Sequence, residues 1–378
     1  MVQAKELFKA LELAHYASRF RDKVFVVALP REVPFSELLL DVKVLAGYRI
    51  QVVLVTRDVD YSLDTMIAQS NRRGSRFHLL LLTEILEDGL DQALDFGKIR
   101  GMLAAGKTCV IAYHPDSAGD EDSGTVDSTA FLGGLVARRL EAQKLFLVHP
   151  RAGEIREAAP RSHLLGSELD ALAKVLGQSE LEGTAGLVEF IADLLKQGVP
   201  DVVLMEGRQG ELYQEVFTHD GAGLLCNNTR TSRVRPAVQA DITDIALLLR
   251  PEVEAGRILP VSEEIIEGRI GDYFVYEIDG LLVGLARLRA FGEAAELSQF
   301  ATLPRYRGKG RARELARRLV EAARERGFQK VFALSIDERM WEFFTGLGFS
   351  PVERELLPGE WKRNYDMSRP SRAFLMEF

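Results

Sequence analysis

Cysteine is nearly absent. The chain of 378 residues holds two, Cys109 and Cys226, far apart and without metal-type spacing. That argues against a disulfide framework and against a zinc site. Long apolar runs are also missing: none approaches the roughly 20 residues of a membrane-crossing helix. Met1–Phe20 has no basic start, apolar block or small-residue cleavage site, so no secretion signal and a cytoplasmic location are expected. There is no long basic run, and the formal net charge is −8. A nucleic-acid partner is therefore not expected, and neither is a membrane partner. Histidine is scarce and one-sided: all six lie at or before His219. What is present is ordinary for a globular protein, with 47% hydrophobic and 28% charged residues. The length suggests more than one domain.

Through residue 227, short β-branched runs alternate with helical patterns. Lys23–Leu29, Arg49–Thr56, Lys107–His114, Lys144–His149 and Asp201–Glu206 read as buried strands. Helical patterns cover 35–45, 129–143, 167–177 and 183–197, and 57–106 reads as largely helical. Asp116–Ser128 is a polar loop. This alternation implies a mostly parallel sheet covered on both faces. The stretches Asp127-Ser-Thr-Ala130, Lys144-Leu-Phe-Leu-Val-His149 and Gly210-Glu-Leu-Tyr-Gln-Glu-Val-Phe-Thr-His-Asp-Gly-Ala-Gly223 resemble the amino acid kinase fold. Phosphoryl transfer would need glycine turns after the first two strands, so that backbone amides could cradle phosphates. The chain has Leu29-Pro30-Arg31-Glu32 after the first and Thr56-Arg57-Asp58 after the second. A later helix carries Phe190 where the family places a lysine. Residues 1–227 are thus expected to form a degenerate kinase-like domain with a regulatory or assembly role. His219-Asp-Gly-Ala-Gly223 is expected to be a tight turn.

Asn227–Arg233 is polar and aperiodic, which makes 228–233 the expected linker to a second domain at 234–378. There, a helix is expected over 241–249, a loop over 250–262 and a helix from Ser262 to Gly268. Strands at 273–278 and 281–290 flank Asp279-Gly280, a hairpin signal. Next comes Glu296-Leu-Ser-Gln-Phe-Ala-Thr-Leu-Pro-Arg-Tyr-Arg-Gly-Lys-Gly-Arg-Ala312, which reads as strand, glycine turn and helix start. Apolar residues at Leu315, Ala316, Leu319, Val320 and Ala323 continue the helix on one face, and Gly327 stops it. A helix N-terminus with a glycine turn offers N–H groups and positive potential to a pyrophosphate. The spacing Arg305-x-x-Gly308-x-Gly310 resembles the turn of the GNAT family of N-acetyltransferases, which holds coenzyme A. The fold class implied is α/β throughout: an amino acid kinase-like parallel-sheet sandwich followed by a GNAT mixed-sheet domain.

Leu249-Arg-Pro251, Gly256-Arg-Ile-Leu-Pro-Val-Ser262, Ala295-Glu-Leu297, Val331-Phe-Ala-Leu-Ser335, Leu356-Leu-Pro358 and Arg369-Pro-Ser-Arg-Ala-Phe374 sharpen the resemblance toward the N-acetylglutamate synthases. The resemblance implies acetyl-CoA as co-substrate, no metal, L-glutamate as acceptor, a place at the start of arginine synthesis, an L-arginine effector and a homo-oligomer. With no histidine or cysteine after the linker, Glu296 is the expected base, and acetylglutamate synthases carry a glutamate at the matching position. The resemblance makes Ser335 the group that meets the departing thiolate. It assigns Phe300, Ala301 and Thr302 to the acetyl and pantetheine groups. The turn Arg305, Tyr306, Arg307, Gly308, Lys309, Gly310, Arg311 and Ala312 takes the pyrophosphate. Carboxylate recognition favours arginine forks: Arg369 and Ser371 fall on the family's acceptor motif, with Arg257, Lys362 and Arg363 as further candidates. Where the family places an arginine the chain has Val261, so either Arg257 or Arg250 compensates or the acceptor differs. Two alternatives stay open: another amino acid or small amine as acceptor, and a CoA-binding regulator without turnover.

Overall fold

The computed structural model describes residues 10, 13–57, 63–82, 94–113, 127–218, 221–228, 232–278, 281–308, 310–363 and 365–378. Most of Met1–Phe20, the loop after Tyr113, His219, Asp220, Asp279 and Gly280 therefore lie outside the described residues. The chain divides into two compact units, Met1–Asn228 and Thr229–Phe378.

In the first unit β1 (Val24–Leu29), β2 (Gln51–Arg57), β4 (Thr108–Tyr113), β5 (Lys144–Val148) and β7 (Asp201–Met205) form a parallel core. Their near-continuous burial explains why these stretches read as apolar runs rather than alternating ones. Three further strands, absent from the sequence reading, complete the order β3-β4-β2-β1-β5-β7-β8-β6 among the described residues. They are β3 (Phe77–Leu82), β6 (His163–Leu165) and β8 (Leu224–Asn227). The run Phe-His-Leu-Leu-Leu-Leu of β3 lies in the region expected to be helical, because leucine serves either state and only pairing with β4 decides it. β8 runs antiparallel to β7 and takes in Asn227. Its entry needs Gly223, where an added Cβ would lie 2.5 Å from the Leu204 carbonyl oxygen. The Gly210 motif also has a physical reason. Gly210 is left-handed (φ 86°), and buried Asp41 accepts its N–H together with that of Leu212, capping the helix Glu211–Phe217 from another element.

The second unit is a mixed sheet in the order β14-β15-β13-β12-β11-β10-β9. β9 (Ser232–Pro236), β10 (Tyr273–Ile278), β11 (Leu281–Phe291) and β12 (Ala294–Thr302) are successively antiparallel. β13 (Lys330–Ser335) is parallel to β12, and β15 (Arg372–Glu377) lies antiparallel between β13 and β14 (Ser350–Val352). Ser232 and Arg233, expected in the linker, are the start of β9, while 229–231 lie outside the described residues. The helix Ile242–Glu254 runs past Pro251 into the expected loop. Buried Leu247, Leu248 and Leu249 hold it against the sheet despite the missing N–H, and left-handed Gly256 follows its end. Ser262 does not begin the next helix but caps it, accepting the Ile265 N–H.

The helix Arg311–Glu325 buries Leu315, Ala316, Leu319, Ala322 and Ala323, the face that the 3.6 period marks. It packs on β10, β11 and β12. Gly284 permits that approach: a Cβ there would sit 3.2 Å from the Ala301 carbonyl oxygen and 3.4 Å from Leu315 Cδ1. Gly284→Val is expected to destabilise the protein by about 1–3 kcal/mol through overpacking, read as a lowered Tm.

Candidate active site

β12 and β13 pair only from Ala294↔Lys330 to Leu297↔Ala333. Beyond that point the two parallel strands share no ladder, and a cleft of about 730 Å³ opens between them. Ser298, Gln299, Phe300 and Thr302 line one side; Leu334, Ser335 and Ile336 line the other. On the β11 side β12 also breaks register. Leu285 faces Ala301 while Arg287 faces Ser298, so Gln299 and Phe300 together oppose Ala286. This is a β-bulge, and Gln299 takes a left-handed φ of 54° to make it. The strained residue is held by its own side chain, whose Oε1 accepts from the Tyr273 hydroxyl at 2.8 Å. Phe300 stands edge-on to Phe343 and Phe344 on the cleft wall.

Glu296 sits where the strands part and is 5% exposed. Arg289 Nη1 donates to its Oε2 at 2.9 Å, and Trp361 Nε1 donates to its Oε1 at 3.2 Å. Burial pushes the carboxyl above its ordinary value, and the Arg289 guanidinium partly offsets that rise. Neither partner figured in the sequence reading. Arg289 was detectable by counting back across the β11–β12 hairpin, since Arg289 and Glu296 are cross-strand partners. Trp361, in the short helix Gly359–Arg363, gave no such signal. It stacks on Tyr365 at 4.3 Å, and the Tyr365 hydroxyl donates to Ser371 Oγ at 2.8 Å.

The turn after β12 carries two left-handed glycines, Gly308 (φ 78°) and Gly310 (φ 75°). Gly310 is the N-cap of Arg311–Glu325 and supplies no side-chain cap, so the helix start opens into the cleft beside Ala312 and Arg313. Arg307 lines the cleft, donating from Nε to the Thr302 carbonyl and from Nη2 to Glu252. Arg311 has a different task from the one expected. Its guanidinium is buried, donates to the Tyr306 carbonyl at 2.8 Å and lies over the Tyr276 and Tyr306 rings, so it braces the turn from within. Ala301 points into the core rather than the cleft. Lys309 and the Arg305 side chain lie outside the described residues.

Ser335 ends β13 at the cleft, where its Oγ accepts the Asp337 N–H at 3.0 Å. Arg257, Arg369 and Ser371 also line the cleft. Arg369 reaches back to the 256–257 loop, donating from Nη2 to the Gly256 carbonyl at 3.0 Å. Lys362 and Arg363 do not join them. Lys362 Nζ donates to the Glu355 carbonyl, and Arg363 is exposed, because Trp361 is the residue their short helix turns inward. Arg250 pairs with Glu254 at 2.9 Å and is not part of the cleft lining; neither is Val261.

Residues 242–349 match the family described as Acetyltransferase (GNAT) family. The match falls inside the second unit and takes in its strands β10 to β13 with the glycine turn that follows β12. More particularly, the chain is similar to amino-acid acetyltransferases, the N-acetylglutamate synthases. It is 32% identical over 248 residues to the amino-acid acetyltransferase of Aeromonas salmonicida, a stretch covering 63% of this chain and 56% of the relative. Against that of Shewanella oneidensis it is 26% identical over 337 residues, 85% of this chain and 75% of the relative. The match to the A. salmonicida protein thus spans little more than half of that relative's length. A crystal structure of N-acetylglutamate synthase from Neisseria gonorrhoeae, complexed with coenzyme A and L-arginine, aligns with a TM-score of 0.59 at 22% identity. The alignment covers 97% of this chain and 98% of that one, and so supports the two-part α/β fold from end to end.

The carboxyl titration of Glu296 follows from its surroundings without reference to any ligand. Its midpoint is expected above the ordinary 4.5, and it should rise further in Arg289→Met, which removes the largest force lowering it. Infrared difference spectra of the protonated carboxyl, taken against Glu296→Gln, measure both.

Proposed function

We propose that the chain transfers the acetyl group of acetyl-CoA to the α-amine of L-glutamate, the entry step of arginine synthesis. The observation that carries this reading is buried Glu296 at the head of the strand gap, with the uncapped glycine turn and the Arg257–Arg369 side opening into one cleft. The lining also has the charge for it. Arg257, Arg289, Arg307, Arg313, Arg339 and Arg369 stand against Glu252, Glu296 and Asp337. Such an excess suits a pyrophosphate together with a dicarboxylate.

The turn fits coenzyme A because two left-handed glycines and an open helix start leave N–H groups for phosphate oxygens. Once bound, acetyl-CoA supplies an activated acetyl group as a thioester. Glu296 draws the proton from the acceptor ammonium, directly or through a water. Its raised pKa narrows the gap to an amine of about 9–10. The bulge at Gln299–Phe300 frees backbone from the β11 ladder, and its donors would meet the thioester oxygen of bound acetyl-CoA. The Ser335 hydroxyl, which accepts the Asp337 N–H and donates weakly to the Asp337 carbonyl at 3.5 Å, would turn that donor to the leaving thiolate. Arg369 and Arg257 hold the acceptor carboxylates. Arg257, which lines the cleft, is the better substitute for the arginine replaced by Val261, since Arg250 does not reach it. That same replacement favours the second reading, in which another amino acid is the acceptor.

For the first unit a regulatory or assembly role within a homo-oligomer accords with its missing phosphate-binding glycines. The N. gonorrhoeae relative's complex with L-arginine makes arginine the effector to try first. Among the described residues no helix is long and apolar enough to cross a membrane and no group of side chains could hold a metal.

A thiol-release assay with acetyl-CoA and a panel of amino acids tests the reading. Turnover with glutamate is expected. Turnover with another acceptor alone supports the second reading, and CoA binding without any turnover supports a regulator. Glu296→Gln should lower kcat by about 10²–10⁴-fold while leaving CoA affinity nearly unchanged. Arg369→Ala should act chiefly on the KM for glutamate; an unchanged KM removes Arg369 from the acceptor site.

A further inference from the structure

Glu252 belongs to none of the roles assigned above, yet it lies in the same cleft. It sits near the end of the helix Ile242–Glu254, and its side chain is only 12% exposed. One carboxylate oxygen, Oε1, accepts from Arg307 Nη2 at 3.0 Å; the other, Oε2, accepts from Arg257 Nε. Arg307 belongs to the glycine turn, and Arg257 to the loop on which Arg369 leans. One carboxylate therefore joins the glycine turn to the 256–257 loop within the cleft lining.

The choice of nitrogens matters. Arg257 is held by Nε, and its two terminal nitrogens, the fork that meets a carboxylate, take no part in that bond. Arg307 is held by Nε on the Thr302 carbonyl and by Nη2 on Glu252, which leaves Nη1. Both side chains are otherwise long and rotamer-rich, and their side chains are 35% and 50% exposed. Without a fixed anion Arg257 would lose its orientation between turnovers, and Arg307 would keep only its bond to the Thr302 carbonyl. A nearly buried carboxylate with two guanidiniums also satisfies its own desolvation.

We propose that Glu252 is a positioning residue shared by both substrates. It aims Arg307 at the coenzyme diphosphate and Arg257 at the acceptor carboxylate, and it acts only through these two arginines. The acceptor half of this claim rests on the proposed reaction; the coenzyme half does not.

The test is a double-mutant set on the full chain: Glu252→Ala, Arg257→Ala, Arg307→Ala and the two pairs that include Glu252. CoA alone is titrated by calorimetry, and rates are measured with acetyl-CoA and glutamate. Glu252→Ala should weaken CoA binding and raise the glutamate KM, each by about tenfold, with kcat held within about twofold. Added to Arg307→Ala it should no longer change the CoA Kd, and added to Arg257→Ala it should no longer change the glutamate KM. Glu252→Gln carries the same measurements should the alanine variant fail to fold. Losses that multiply in the double variants overturn the proposal, as does an unchanged CoA Kd in both Glu252 variants. Absence of turnover with glutamate counts against the proposed reaction and the acceptor half, while the titrations with CoA still decide the Arg307 half.

Discussion

Everything at the site depends on two parallel strands that part after four paired residues. A ladder between β12 and β13 that continued past Leu297↔Ala333 would bury the inner edges of both strands and leave no cleft. Because it stops, backbone is exposed along a strand that the opposite ladder still fixes, and the bulge at Gln299 turns that strand locally. The gap is kept open from below by aromatic packing: Phe300, Phe343 and Phe344 meet edge to face, and Phe344 also packs on Phe349 and Phe374. The glycine turn and its helix then follow directly from the end of the freed strand. Two departures from regular pairing on one strand, the ended ladder and the bulge, thus bring an opening, exposed backbone and a helix start to one place.

Burying a carboxylate at the root of such a gap costs free energy unless its oxygens are engaged. Glu296 has one donor on each oxygen, a guanidinium from the neighbouring strand and an indole from the short helix Gly359–Arg363. The indole is itself fixed by Phe332 and Tyr365, so on that side the carboxylate is oriented by packing rather than by a second charge. This arrangement keeps the group buried and above its ordinary pKa, with the Arg289 ion pair offsetting part of the rise. The remaining carboxylates of the cleft, Glu252 and Asp337, each lie on arginines of the lining.

The turn and helix from Gly308 to Glu325 were legible because each obeys a local rule: glycines for left-handed backbone, and a one-face period. Inward direction was not legible. Lys362 and Arg363 share a charged stretch with Trp361, and composition does not say which of the three a short helix turns inward. Arg311 reads as a loop cation yet is buried under two tyrosines, a placement that only the tertiary packing decides. Pro251 read as a helix end because local propensity ignores the leucines packed just before it. β3, β6 and β8 escaped because short apolar runs acquire strand identity from their neighbours. The lost glycines after β1 and β2 were visible at once, since a missing residue type needs no structure to be counted.

The central claim is that one cleft holds both reactants with the acceptor amine at Glu296. A crystal structure of the full chain with a bisubstrate conjugate, coenzyme A joined through its sulfur to an acetyl-bridged glutamate, tests it most directly. The account predicts the diphosphate on the Gly308–Gly310 turn, the amine nitrogen within hydrogen-bond or single-water reach of Glu296, and the carboxylates on Arg257 and Arg369. A conjugate whose diphosphate seats on the turn while its amino-acid end leaves the gap between β12 and β13, away from Glu296, contradicts it.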